Sequence, residues 1–167
     1  MHSVARQSTS DEALIFELEQ IRFGVWSSDI RQVLRAVAIS PLPNAPSCIE
    51  GIINVHGHVV PVLDLRELFR LPAKPIEITD HLIVVEIANS QVAIRVDRAL
   101  DLISLDVENL EETRVMLGGV KFKSLTGKTS LGLIHVLAAD ELMSQYELSM
   151  LDNLVHQSVE ESDGEAQ

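Results

Sequence analysis

Cysteine, aromatic residues and basic residues are all scarce in this chain, and each shortage excludes something. The one cysteine, Cys48, rules out an intrachain disulfide and fits a reducing compartment. Aromatic residues make up 4% of the chain, which leaves Val, Ile and Leu to fill a core. No stretch approaches the roughly 18–20 apolar residues of a membrane-spanning helix. The opening "MHSVARQSTSDEA" has no apolar segment of the kind a secretory signal needs. With 13 Lys and Arg against 25 Asp and Glu, the net charge is −12. Nucleic acid and anionic membrane repel such a chain unless basic side chains gather locally. The densest basic stretch, Lys121, Lys123 and Lys128, is too thin for that.

Motifs of catalysis are missing too. There is no nucleophile elbow, phosphate loop or dinucleotide fingerprint. Cys48, His56 and His58 are acceptable zinc-ligand types, but no close cysteine pair accompanies them. A turn at Gly57 would also break the alternation that puts both histidines on one strand face. Asp64, Asp97 and Asp101 are candidate acids that nothing in the sequence brings together. Asp64 precedes "LRELF" and reads as the N-cap of a short helix.

What the chain does have is a series of short, β-branched apolar runs broken at close intervals by turn residues. That pattern predicts a mainly β protein. "ALIFELE" and "IRFGVWS" form one hairpin, with Trp26 read as core. Ser27 and Ser28 are plausible N-caps, so "SSDIRQVL" reads as a short helix. "VAISPLPNAPS" is an ordered loop because of its prolines. "CIEGIINVHGHVVPVLDL" gives two strands joined at His56-Gly57. "FRLPAKPIEITD" is a connector, and "HLIVVEIANSQVAIRVD" gives two strands around Asn89-Ser90. "ALDLISLDVENL" adds a strand and a helical turn, and "GGVKFKSLTGKTSLGLIHV" two strands around Gly127. Leu142, Tyr146, Met150 and Leu154 recur at helical spacing, which predicts an amphipathic helix over 137–156.

The two halves also repeat. "LIFELEQIRFGVWSSDIRQVL" lies on "LIVVEIANSQVAIRVDRALDLI" at an offset of 69, and "VVPVLDL" on "SLGLIHV" at an offset of 71. The expected organisation is a disordered lead-in at 1–12, lobes at 13–75 and 76–140, the helix, and an acidic disordered tail at 158–167. Two lobes of roughly 65–70 residues are each marginal alone and gain by sharing an apolar face. Any groove between them is a natural binding site.

One segment carries a resemblance. "PNAPSCIEGIINVHGHVVPVLDLRELF" contains Pro43, Asn44, Pro46, Gly51, Asn54, Gly57, Pro61, Asp64 and Leu65 in a fixed pattern. In it the chain resembles the CheW family, the coupling proteins of bacterial chemosensory arrays, and the likeness extends from about Leu14 to Val155. The resemblance implies two pseudo-repeated five-stranded SH3-like β-barrels that share a hydrophobic interface, with short helices and a C-terminal helix. It implies a non-enzymatic cytoplasmic adaptor without cofactor or metal, held at receptor arrays on the inner face of the membrane without inserting into it. The implied partners are the cytoplasmic tip of a chemoreceptor, the regulatory domain of the histidine kinase CheA, and other CheW-like domains in rings.

On that resemblance Ile30, Gln32, Gly51 and His56 face the receptor, while Asn44, Pro46, Asn54, Gly57, Pro61 and Asp64 are structural. The kinase-binding surface maps to no single residues. Two positions depart from the family pattern: His56 stands where an arginine is usual, and Gln32 where a carboxylate is common. A neutral or pH-dependent hydrogen bond replaces a charged pair there. Two alternatives stay open: a scaffold for a non-flagellar pathway such as pilus motility or gene regulation, and a small metal-dependent enzyme using His56 and His58.

Overall fold

The computed structural model describes residues 12–117, 120–143, 147–148 and 150–157. The first five strands are β1 (Glu12–Leu18), β2 (Ile21–Trp26), β3 (Ile30–Arg35), β4 (Ile49–Val55) and β5 (His58–Asp64). A one-turn helix, α1 (Leu65–Leu68), follows. Then come β6 (His81–Ile87), β7 (Ser90–Val96), β8 (Arg98–Ser104), β9 (Glu111–Leu117), β10 (Val120–Thr129) and β11 (Gly132–Leu137).

The strands form two sheets, ordered β8-β1-β2-β11-β10-β9 and β3-β6-β7-β5-β4. The middle of the chain thus makes one complete unit. The other unit joins the N-terminal hairpin to the C-terminal strands and carries one extra edge strand, β9. We call them the middle and terminal units. The lobes are therefore not the consecutive halves 13–75 and 76–140: β6 and β7 pair with β3 and β5, across that boundary. In each unit one parallel pairing, β5 with β7 and β2 with β11, joins segments far apart in sequence.

The repeat is real in register and differs from its expected alignment in one block. Ala13 pairs with Trp26 as Leu82 pairs with Arg95, an offset of 69. Leu34 opposite Leu82 corresponds to Ile103 opposite Ala13 at the same offset, so β3 and β8 are equivalent. Each carries an irregularity at the same place, between Ile30 and Gln32 and between Ala99 and Asp101. For the second hairpin the offset is 74, not 71: Val55 opposite His58 matches Thr129 opposite Gly132. Apolar pattern alone cannot separate two shifts that both keep hydrophobic residues aligned.

Most central strands are buried on both faces, because each serves two cores. Ala13 and Ile15 point into the core of the terminal unit; Phe16 and Leu18 on the same strand point into the shared core. Leu82 and Val84 fill the middle unit, while Ile83, Val85 and Ile87 join the shared core. All four phenylalanines, Phe16, Phe23, Phe69 and Phe122, meet in that shared core, with ring centroids 4.6–5.7 Å apart. Trp26 is half-buried against the terminal unit's own core.

Three local expectations fail. "SSDIRQVL" is a 3-10 turn, Ser27–Asp29, followed by a strand; no serine side chain caps it. Residues 30–35 alternate between half-buried and exposed, and pairing with β6 wins over the capping signal. Gly127 is not a turn, for β10 runs straight through it and the chain reverses at Ser130-Leu131. A Cβ at Gly127 would meet the far end of the Leu110 side chain, which would have to shift. The expected helix over 137–156 starts late: β11 extends to Leu137 and a 3-10 turn occupies Ala139–Glu141. Helix is found at 147–148 and 150–157, with Leu148 and Leu151 buried in the shared core. Tyr146, the tail and the lead-in up to residue 11 lie outside the described residues, and Glu12 already belongs to β1.

Candidate functional site

The β4–β5 hairpin organises the region of interest. His56 (φ 51°) and Gly57 (φ 85°) both take the left-handed conformation, as a two-residue hairpin turn requires. Asn54 fastens the turn: its Oδ1 accepts a hydrogen bond from the Gly57 N–H at 2.8 Å. Pro61 faces Ile52 of β4, one residue before the parallel ladder to β7 begins at Val62, so its missing N–H costs no bond there. Asp64 caps α1, accepting from the Arg66 N–H at 3.0 Å.

The proline-rich loop packs onto the same hairpin. Asn44 supplies a left-handed residue (φ 65°), and the Pro46 carbonyl accepts from the Ile49 N–H at 2.9 Å. Ser40 and Ile52 exchange both backbone hydrogen bonds, at 2.7 and 2.9 Å. That contact passes directly over Gly51, where a Cβ would collide with the Ser40 carbonyl. Gly51 is buried for this reason and does not join the surface as expected. Nearly the whole quoted motif is thus architecture.

What the architecture presents is a contact across the opening of the middle unit. Gln32, on edge strand β3, lies 3.4 Å from His56 through Nε2 of each side chain, and the pair is exposed. With the imidazole proton on Nδ1, the Gln32 amide donates to His56 Nε2. The two strands are opposite edges of the sheet, so this hydrogen bond helps close it on itself. Ile30 is half-buried against the shared core, on a strand rather than a helix. Beside Gln32, Arg31 forms an ion pair with Glu86.

His58 lies at the far side of the turn, along a cleft of about 300 Å³ between the hairpin and the C-terminal helix. Cys48 is half-buried, and burial together with the charge of Glu147 pushes its thiol up. Among the described residues no three His, Cys, Asp or Glu side chains stand together as a metal site.

Sequence reading missed a buried ion network toward the open end of the β4–β5 hairpin, away from its turn. Arg66, almost fully buried, binds Asp97 through both carboxylate oxygens (2.6 and 2.7 Å), the Pro72 carbonyl (3.0 Å) and Glu19. Arg95 binds Glu50 (2.7 Å), Asp80 (3.2 Å) and the Lys74 carbonyl (2.9 Å). Burial works against ionised Asp97, but hydrogen bonds from Arg66 and the Glu19 N–H, and the charges of Arg66 and Lys74, outweigh it and hold its carboxyl below the usual range. For Glu50 burial wins over Arg95, and its carboxyl is pushed up. Asp64 and Asp97 are therefore structural ions, and Asp101 is exposed, its carboxylate accepting from the Leu102 N–H. The available signal was Arg95 itself, a charge inside the otherwise apolar run "QVAIRV".

The CheW-like domain family matches residues 12–147. The chain belongs to the CheW-like family. Chemotaxis protein CheW of Klebsiella aerogenes is 26% identical over 153 residues, covering 90% of this chain and 92% of that protein. Chemotaxis protein CheW of Treponema pallidum is 23% identical over 149 residues, covering 86% and 88%. A shorter block of 61 residues is 41% identical to protein FrzA of Myxococcus xanthus, covering 36% and 38%. The crystal structure of scaffolding protein TtCheW from Thermoanaerobacter tengcongensis superposes with a TM-score of 0.72 at 25% identity, covering 80% of this chain and 92% of that one. The CheW-like fold accounts for the two β units and their shared core.

Proposed function

We propose that this CheW-like protein is a non-enzymatic adaptor that couples a chemoreceptor to the histidine kinase CheA in a chemosensory array on the cytoplasmic face of the membrane. The observation that carries this reading is the family match across both units, joined to a motif whose residues build a rigid hairpin rather than a reaction centre. On this reading Ile30, Gln32 and His56 face the receptor tip. The Gln32–His56 hydrogen bond supports it, because it fixes both side chains at the surface. Coupling then requires that the partners bind with different affinity in different signalling states.

The direct test is isothermal titration of the full chain with a purified receptor signalling fragment and a CheA regulatory domain from the same organism. Binding to both is expected, and binding to neither refutes the proposal. His56→Arg should keep the fold and change receptor affinity; unchanged affinity for every receptor tested removes His56 from the contact. The departures at positions 32 and 56 favour one second reading, a scaffold of a non-flagellar chemosensory pathway. Recovery of the chain from its native cells with a pilus-associated or gene-regulatory receptor would select it.

A further inference from the structure

The two units treat one strand junction differently. In each, a parallel pair holds the sheet together, and the pairs match at offsets of 69 and 74: Val62 with Ala93 corresponds to Val136 with Gly24. In the terminal unit the ladder begins a residue earlier, at His135 with Phe23. Pro61 stands in the place of His135, and without an N–H it does not continue the ladder in the middle unit. The strands part there. Val55 and His58 close one hairpin, and Ile87 and Ser90 the other. Val59 and Gln91, one residue further on, therefore turn their backbone groups away from their hairpin partners and toward the gap between β5 and β7. The next donor that a ladder would bring to the Gln91 carbonyl is the Pro61 nitrogen, which carries no hydrogen.

The terminal unit spans the equivalent gap with one of its own side chains. Arg22, the counterpart of Gln91, reaches across it. Its guanidinium donates to the Leu131 carbonyl, lies 4.0 Å from where a Cβ on Gly132 would stand, and pairs with Glu17 at 3.4 Å. Leu131 and Gly132 are the counterparts of Gly57 and His58. In the middle unit Gln91 is exposed, and its side chain makes no hydrogen bond among the described residues. What is left is the cleft of about 300 Å³ between residues 58–61, residues 89–91 and the C-terminal helix. Among the described residues its one acid, Asp152, accepts from the Ser90 hydroxyl at 3.2 Å and has no ion pair. Val59, Val60, Pro61 and Val155 supply an apolar wall.

We propose that this cleft binds a guanidinium group, the arginine side chain of another polypeptide. An unpaired carboxylate and a backbone carbonyl without a ladder donor need a ligand that only donates, and a guanidinium carries donors and no acceptor. The apolar wall suits the aliphatic stem of the side chain. The terminal unit shows the same arrangement within one chain, with Arg22 donating to a backbone carbonyl beside a carboxylate. Free arginine fits less well, because its α-carboxylate meets a chain of net charge −12. The site does not depend on the adaptor reading.

The test is an NMR titration of the full chain with N-acetyl-arginine amide, which carries the side chain without terminal charges. It is followed at the backbone amides of Val59, Ser90 and Gln91, and saturable shifts centred on the cleft are expected. Asp152→Asn should weaken binding by about tenfold or more, the worth of a charge-assisted hydrogen bond. Glu108→Gln removes the same charge from an exposed position on the terminal unit and should leave binding unchanged. Gln91→Arg should fill the cleft from within, as Arg22 does, and abolish binding; circular dichroism checks that each variant is folded. N-acetyl-lysine amide and free arginine should each bind more weakly. No saturable shift at the cleft, or equal effects of Asp152→Asn and Glu108→Gln, overturns the site. Equal binding of the lysine compound overturns the guanidinium assignment, and equal binding of free arginine overturns the polypeptide occupant. None of these results bears on the adaptor reading, which stands or falls on titration with its own partners.

Discussion

Replacing Arg66 with methionine should destabilise the protein strongly, and in a pH-dependent way. The guanidinium is 3% exposed and reaches Asp97, whose side chain is 21% exposed, and Glu19, at 39%. Methionine fills much of the same space, so the loss is chiefly electrostatic. Removing one partner of a fully buried pair costs about 3–5 kcal/mol. Asp97 is only partly buried and keeps the Glu19 N–H at 3.0 Å, so the expected loss at pH 7 is smaller, about 2–3 kcal/mol. The sign with pH follows from the lowered carboxyl of Asp97. Its ionised form is favoured in the folded state, so that stability is present above its unfolded value of about 3.9 and is lost as pH falls through the folded value. Urea unfolding of wild type and Arg66→Met at pH 7, 5 and 3 measures this. The gap between them should be wide at pH 7 and 5 and should narrow toward pH 3. A gap below about 1 kcal/mol at pH 7, or one that stays constant to pH 3, refutes the reasoning.

Gly51→Ala places a methyl against the Ser40 carbonyl, a backbone atom that cannot swing away; a loss of about 2–4 kcal/mol is expected in urea unfolding, and a neutral result would show that the proline loop is free to lift. Gln20 holds φ 67° in the β1–β2 turn, so Gln20→Gly should stabilise by about 0.5–1 kcal/mol, read as a rise in melting temperature; a fall would mean that its side chain matters more than its backbone. Burial lowers the imidazole pKa of His135, so its NMR titration midpoint should fall below about 6.5, and stability should be lost as pH falls through it; a midpoint at or above the ordinary value refutes its buried placement. A fragment 13–75 should be unfolded by circular dichroism, since it lacks β6 and β7 of one unit and β8 to β11 of the other; a cooperative melt would contradict the strand pairing.

The sequence made some of this legible and hid the rest for physical reasons. Hairpins show because turn chemistry is local: His56-Gly57 marks its reversal, and Asp64 its cap. Strand exchange does not show, because pairing β2 with β11 joins residues more than a hundred positions apart and no local pattern encodes it. Strand β9 carries little periodic signal, because "EETRVML" opens on four polar residues and forms the edge of its sheet. Gln32 and His56 were singled out by resemblance and are found in contact. Gly51 was singled out with them, yet its reason is steric and internal. The Arg66 and Arg95 networks were invisible, since a lone arginine in a sequence does not reveal whether carboxylates converge on it.

Duplication with an exchanged hairpin explains why the motif residues fall in one unit only. The middle unit is continuous from β3 to β7, and its connection from β3 to β4 must cross the barrel end as a loop. Pro43, Asn44, Pro46 and Gly51 make that loop lie flat on β4, with Ser40 and Ile52 as the point of contact. In the terminal unit the same connection, from β8 to β10, is instead filled by a strand, β9, which pairs along β10 through seven residues. A strand satisfies its backbone through the ladder and needs no proline or left-handed asparagine to hold its shape. The two openings were therefore built differently from the backbone outward: one roofed by a stiff loop and closed by Gln32 and His56, the other flanked by a regular edge and left open around Lys128. Selection on side chains at either opening can act without disturbing the other, because what they share is the apolar core between the units and not the rims.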